Sequence, residues 1–324
     1  MKIIIATPRG FCAGVDRAID TVKLALAVYG APLYVKHAIV HNKFVVQELA
    51  GQGVIFVENV SDIPEKATAI FSAHGSPPGD FIQAKERRLN LIDATCPLVT
   101  KVHLEAQRFA RDGYKIILVG HKGHIELVGT AGQAPQETIV VQDVKDVKNV
   151  TLLADEKVAV LTQTTLSVQD TKKVIAAIKK RWPQAALPPA TDICYATTNR
   201  QQAVQALAGQ TDVILVVGSR TSSNTNRLVE VAMAAGTPAW RLDSAVELNL
   251  DWLKSVKSLG ITAGASVPEK LVEDLVRRLK EVVKIEAVEI LEAVAENMRF
   301  TLPLKLKEGA QAKKIGESLI KKHN

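Results

Sequence analysis

Short apolar runs alternate with segments of helical periodicity from one end of the chain to the other. Runs at residues 3–6, 33–40, 54–57, 69–73, 91–94, 116–120, 138–141, 158–162, 213–218 and 261–263 are short and rich in Val and Ile, so they predict strands. Between the first two, Val15, Ala18, Ile19, Val22 and Leu26 share one helical face and stop at Gly30. A helix predicted over 98–111 stops at Gly113, and one over 222–235 stops at Gly236. A helix over 167–182 starts on a Ser cap and ends before Pro183, and one over 267–283 carries Pro268 in its first turn. This alternation predicts an α/β protein with largely parallel sheets joined by right-handed crossovers.

Composition narrows the picture. The 324 residues are 47% hydrophobic and only 4% aromatic, so the core must be aliphatic, as buried parallel strands require. With 23% charged residues the chain is neither disordered nor collagen-like. The length suits about two domains or three small ones. Of the net charge of +7, residues 301–324 supply +4 through six Lys and two Glu. The body is therefore not broadly basic, and with few aromatics to stack bases it is not expected to bind nucleic acid. No apolar run is long enough for a membrane helix, and Arg9 and Asp16 come too early for a secretory signal. Three Cys, an odd and low count, do not make a disulfide framework and fit a reducing compartment. A cytoplasmic protein with no membrane partner is expected.

Each Cys sits where a strand or short loop runs into a helix: Gly10-Phe11-Cys12-Ala13, Thr95-Cys96-Pro97 and Ile193-Cys194-Tyr195. The gaps of 84 and 98 residues are each about one small α/β unit. The economical picture is three such lobes around a centre, each delivering one Cys: residues 14–96, 97–193, and 1–13 with 194–300, followed by a basic tail over 301–324. Buried inert thiols are the ordinary alternative. If the three converge, they make a three-cysteine metal centre with one open position, although the dispersed set lacks the CxxC spacing of a zinc ribbon or ferredoxin. His41, His74, His121 and His124 follow predicted strands, where they suit an anionic ligand. His37 falls in a strand pattern, His103 in a helix and His323 in the tail, and these carry no assigned role. Glu126, in a Gly-rich loop, is either a surface group or a proton relay with a raised pKa. Polar clusters at Thr162–Thr165, at 218–227 including Ser222, Ser223 and Asn224, and at 263–266 including Ser266 are helix caps that can also meet phosphate oxygens. Neither GxGxxG nor a P-loop is present, so reducing electrons would come from a protein donor.

These motifs, with Thr162-Gln163-Thr164-Thr165-Leu166-Ser167 and Asp192-Ile193-Cys194-Tyr195-Ala196-Thr197-Thr198-Asn199-Arg200, closely resemble those of the 4-hydroxy-3-methylbut-2-enyl diphosphate reductases, the last enzymes of the methylerythritol phosphate route to isoprenoids. The likeness runs in order over roughly residues 1–300. It implies a three-lobed, trefoil-like α/β fold around a 4Fe–4S cluster held by Cys12, Cys96 and Cys194, with the fourth iron open to the substrate hydroxyl. His41, His74 and His124 would line the pocket. Ser222, Ser223, Asn224 and Ser266 would hold the diphosphate, and Thr164 and Glu126 would sit by the hydroxyl, with Glu126 relaying protons. The implied reaction is a two-electron, two-proton dehydroxylation to isopentenyl and dimethylallyl diphosphate, fed by a ferredoxin- or flavodoxin-type donor. Two departures stand out: Ile125 where the family usually has Pro, and Ser76-Pro77-Pro78-Gly79-Asp80 after His74. The tail has no clear counterpart. The competing readings are a diphosphate hydrolase with zinc on the three cysteines, using Glu126 to activate water, and a non-enzymatic binding protein.

Overall fold

A computed structural model describes residues 1–153, 155–312 and 315–323. In chain order the elements are β1 (Lys2–Thr7), α1 (Ala13–Tyr29), β2 (Leu33–Lys36), α2 (Lys43–Ala50), β3 (Val54–Val57), β4 (Thr68–Phe71), α3 (Pro78–Glu86), β5 (Asn90–Asp93), α4 (Pro97–Arg111), β6 (Lys115–Val119), α5 (Ile125–Ala131) and β7 (Thr138–Val141). They continue with α6 (Val144–Lys148), β8 (Val158–Thr162), α7 (Val168–Arg181), α8 (Tyr195–Ala208), β9 (Val213–Val217), α9 (Ser223–Ala234), β10 (Ala239–Leu242), β11 (Ser258–Ala263), α10 (Glu269–Val282), β12 (Ala287–Glu292), α11 (Leu304–Ala312) and α12 (Glu317–Lys322).

The strands form three parallel sheets, one for each α/β lobe, ordered β10-β9-β11-β1-β12, β3-β2-β4-β5 and β7-β6-β8. The first strand of the chain thus pairs with late ones, Ile5 lying opposite Ile261 of β11 and Ile290 of β12. The chain forms two compact units. The first holds Met1–Cys12, His41–Val45 and Tyr195–Met298, with the five-stranded sheet. The second holds Ala13–Val40, Val46–Cys194 and Arg299–Asn324, with the other two.

Strands β8 and β9 are buried at every position, which explains their nearly continuous apolar sequences Val158-Ala159-Val160-Leu161-Thr162 and Val213-Ile214-Leu215-Val216-Val217. Helix ends follow the expected chemistry. The Ser167 and Ser222 hydroxyls accept from Asp170 N and Thr225 N at the starts of α7 and α9, while Gly30, Gly113 and Gly236 follow α1, α4 and α9 with positive φ. Pro268 is the N-cap of α10 rather than a residue of its first turn. His37 does not continue β2: the strand stops at Lys36 and His37 turns the chain at φ 59°. Pro77 and Pro78 form the N-cap and first residue of α3, positions that spend no helical N–H. The described part of the tail packs on α1 within the second unit, burying Leu302, Leu306, Ala310 and Ile320; Lys313 and Lys314 lie outside the described residues.

Candidate active site

The predicted residues divide between the units, and in each they stand past the carboxyl ends of parallel strands, where open α/β sheets bind ligands. In the second unit the chain leaves β4 through Ser72 and His74, whose Oγ and Nδ1 lie 3.2 Å apart. Gly75 follows at φ 82°, and a Cβ there would stand 2.6 Å from the ring of His103 on α4. Gly129 of α5 meets the same turn, its missing Cβ leaving 3.2 Å to the Gly75 carbonyl. Two glycines thus let α4, α5 and the His74 turn close together. His103 is a packing residue: burial pushes its pKa down to about 4 against the pull of Asp93, and it stays neutral.

His124 is the N-cap of α5, its Nδ1 accepting from Glu126 N at 3.1 Å. Glu126 is therefore not a loop residue but the second residue of a helix. Ile125 is the first, a position that admits Pro and Ile alike, so this departure leaves the helix start intact. Glu126 is 4% exposed. Thr164, just past β8, donates its backbone N–H to Oε1 at 2.6 Å and its hydroxyl to Oε2 at 3.1 Å. Burial drives the Glu126 carboxyl up to about 7 against these two bonds, within reach of neutral pH. The Thr164 carbonyl in turn accepts from Cys194 N at 3.0 Å. Cys96 caps α4 ahead of Pro97 and donates its N–H to Ala73 O at 3.0 Å, next to His74. The His74 and His124 rings meet edge-on, 6.2 Å between centroids. Short contacts thus lead from Cys96 through His74, His124, Glu126 and Thr164 to Cys194.

In the first unit, Cys12 N donates to Ala265 O at 3.2 Å past β11, and Ala265 N donates to Asn224 Oδ1 at 3.0 Å. Asn224 Nδ2 reaches Thr197 Oγ1 at 3.4 Å, and Ser266 Oγ donates to His41 O at 2.9 Å. Ser222, Asn224 and Ser266 are buried, and Ser223 opens α9 beside them. The Ser222 oxygen caps α9 through a lone pair and keeps its O–H to donate. Hydroxyls, an amide and the start of a twelve-residue helix suit phosphate oxygens. Thr197 and the Ala265 amide join this set without having been singled out in the sequence, although Thr197 lies inside the Cys194 motif.

The LytB protein family profile matches residues 3–280. The chain belongs to the LytB family. A 4-hydroxy-3-methylbut-2-enyl diphosphate reductase of Mannheimia succiniciproducens is 51% identical over 310 residues, covering 95% of this chain and 98% of that protein, and one of Histophilus somni matches equally. The solved Plasmodium falciparum E-1-hydroxy-2-methyl-but-2-enyl-4-diphosphate reductase superposes with a TM-score of 0.94 at 38% identity, covering 96% of this chain and 98% of that one. The chain is accordingly an oxidoreductase of the LytB family. An aligned span of 310 residues reaches past residue 300 wherever it begins, so the tail has a counterpart in those relatives in part.

LytB family chemistry implies a metal centre, and the chain offers three thiol donors of the kind that hold iron or zinc. Cys12, Cys96 and Cys194 are in no disulfide, are each half-buried, and each immediately precede a helix or cap it. Among the described residues, no three His, Cys, Asp or Glu gather tightly enough for a single ion. Cluster thiolates bind different irons and need no such approach.

Proposed function

We propose that this enzyme reduces 4-hydroxy-3-methylbut-2-enyl diphosphate to isopentenyl and dimethylallyl diphosphate, consuming two electrons and two protons at a 4Fe–4S cluster held by Cys12, Cys96 and Cys194, with one iron open. The observation that carries the reading is the buried Glu126–Thr164 pair, tied to Cys194 through the Thr164 carbonyl. When bound, the cluster supplies single electrons and a Lewis-acid iron for the substrate hydroxyl. Ser222, Ser223, Asn224 and Ser266 hold the diphosphate, whose binding energy fixes the allylic end in place. His41, His74 and His124 donate hydrogen bonds to the anion. Glu126, with a carboxyl near 7, is protonated in part of the molecules at neutral pH and passes that proton by way of the Thr164 hydroxyl, so the C–O bond breaks with loss of water. A second proton forms the new C–H bond.

The lobe boundaries at 14–96, 97–193, and 1–13 with 194–300 belong to the same reading. So do a ferredoxin- or flavodoxin-type electron donor and a cytoplasmic setting. No described helix is long and apolar enough to cross a membrane. The relatives named as reductases disfavour the zinc hydrolase. Mössbauer and visible spectra of protein purified without oxygen, with and without the hydroxylated allylic diphosphate, test the proposal. Four irons, one of them shifted by substrate, are expected; a colourless protein with stoichiometric zinc would overturn it.

A further inference from the structure

Arg17, Lys101 and Arg200 occupy equivalent places relative to the three cysteines. Each stands on the helix that begins directly after one Cys: five residues beyond Cys12, five beyond Cys96 and six beyond Cys194. Each sends its charge onto carbonyls just ahead of the next Cys. Arg17 Nη1 donates to Ala94 O at 3.1 Å and Thr95 O at 3.0 Å, immediately before Cys96. Lys101 Nζ donates to Ala190 O at 3.1 Å and Thr191 O at 3.4 Å and pairs with Asp192 Oδ1 at 3.2 Å, all shortly before Cys194. Arg200 donates to Gly10 O from Nη2 at 2.8 Å and Nε at 3.2 Å, and Nη2 lies 3.5 Å from Phe11 O, immediately before Cys12. The first two links lie within the second unit and the third within the first. Followed along the chain they close on themselves, the helix after each Cys holding the approach to the next.

These cations are not solvated surface charges. Arg200 is fully buried, and its remaining bonds go to Ala196 O and Glu296 Oε1. Arg17 is buried too, with Nε on Thr301 O at 2.7 Å. Lys101 is a third exposed but is fixed between Asp192 and Glu105. Desolvating a cation is costly, so its hydrogen bonds are strongly held where it persists. Each cysteine is therefore gripped twice: by the cation on the residues before it and by its own amide on Ala265 O, Ala73 O or Thr164 O.

We infer that Arg17, Lys101 and Arg200 are positioning residues for the three thiols, each fixing the backbone that delivers the next cysteine, so that the ligand set is ordered before it receives iron. A pre-ordered set binds its group without first ordering the chain. The inference rests on the proposed ligand role of the cysteines, and its test separates the two.

Hydrogen exchange of the full-length protein, purified without oxygen, reads the links directly when resolved to segments 10–15, 94–99 and 190–196. In Arg17→Met, exchange should rise at least about tenfold in 94–99 only; in Lys101→Met, in 190–196 only; in Arg200→Lys, in 10–15 only. Iron bound per chain should fall in all three, with the far-UV spectrum unchanged. Arg17→Lys, which keeps the charge but cannot serve all three carbonyls, should show the same pattern more weakly and covers the case in which Arg17→Met does not fold. Loosening of all three segments together in every variant would reduce these residues to general structural ties and overturn the inference, as would an unchanged partner segment. A cyclic pattern in protein whose wild type takes up no iron would uphold the links and remove the ligand assignment.

Discussion

Glu126 faces opposing demands: a carboxyl without solvent resists ionisation, while two Thr164 donors favour the anion. Burial wins, and the result is a group that titrates near the pH at which it works. Glu126→Gln keeps the shape and one acceptor but removes the proton. Turnover should fall about 100-fold or more with KM changed only a few-fold, read by steady-state kinetics; a near-normal rate would remove Glu126 from the relay. The same shift makes a stability prediction. A folded-state pKa raised from 4.5 to about 7 contributes stability that is complete below about pH 4.5 and lost as pH rises through 7. The melting temperature of Glu126→Gln should therefore gain on the wild type between these pH values and run parallel above them, a difference of about 3 kcal/mol. On the diphosphate side, Ser222→Ala with Asn224→Ala should weaken inorganic pyrophosphate binding about tenfold or more by calorimetry. Unchanged affinity would return both residues to capping and loop fixing. At this scale the sequence motifs were legible because chemistry-bearing side chains sit at strand ends. Arg17 was not, since only burial separates it from an ordinary helix-surface cation; Arg200 lay inside the Cys194 motif, but its burial is seen only in the fold.

Elements were legible where one physical signal dominated. Strands β3, β7 and β8 have the bounds their apolar runs predict, and the Ser-capped helices begin as expected. Strands β10 and β12 were missed because they close the two edges of the five-stranded sheet, where one face meets solvent: Arg241 interrupts one, and Glu289 and Glu292 the other. The tail's six Lys read as a basic end of open role, and its buried apolar residues show that the described part is packed. His323 is buried, its ring nitrogens 2.8 Å from Asp20 Oδ2 and 2.9 Å from Phe300 O, and Lys322 Nζ is 2.8 Å from Asp20. Burial raises the Asp20 carboxyl, but the bonds from His323 and Lys322 outweigh it and leave the pKa below 3.8. A depressed carboxyl contributes stability above its ordinary pKa and loses it as pH falls through the folded value. Asp20→Asn should lower stability by about 1–3 kcal/mol at pH 7 in denaturant titrations. The gap to wild type should stay constant from pH 8 to 5 and shrink below about 4. A gap that persisted in acid would mean that the carboxylate charge does not hold the tail.

At the scale of the whole molecule, the spacing of the three cysteines already points to three α/β lobes, and the three parallel sheets bear that out. That β1 joins the sheet of β9 to β12 follows from the same spacing, which leaves the first thirteen residues without a lobe of their own. Sequence could not show which backbone and side-chain groups hold the lobes' loops, because those contacts join segments far apart in the chain. A group that takes one thiol from each of three separate segments has no site in the unfolded state, so its binding free energy adds to folding. Anaerobic removal of iron with a chelator should therefore lower the melting temperature of the full-length protein by several degrees at least. Cys96→Ser should bind fewer than four irons, melt near the chelated wild type, and be indifferent to further chelator. If this variant instead keeps four irons and the higher melting temperature, Cys96 is no ligand. The chelator test on the variant is the informative half: a fall in stability there would show that iron still binds without Cys96, whereas indifference shows that the cluster's contribution to folding depends on that thiol.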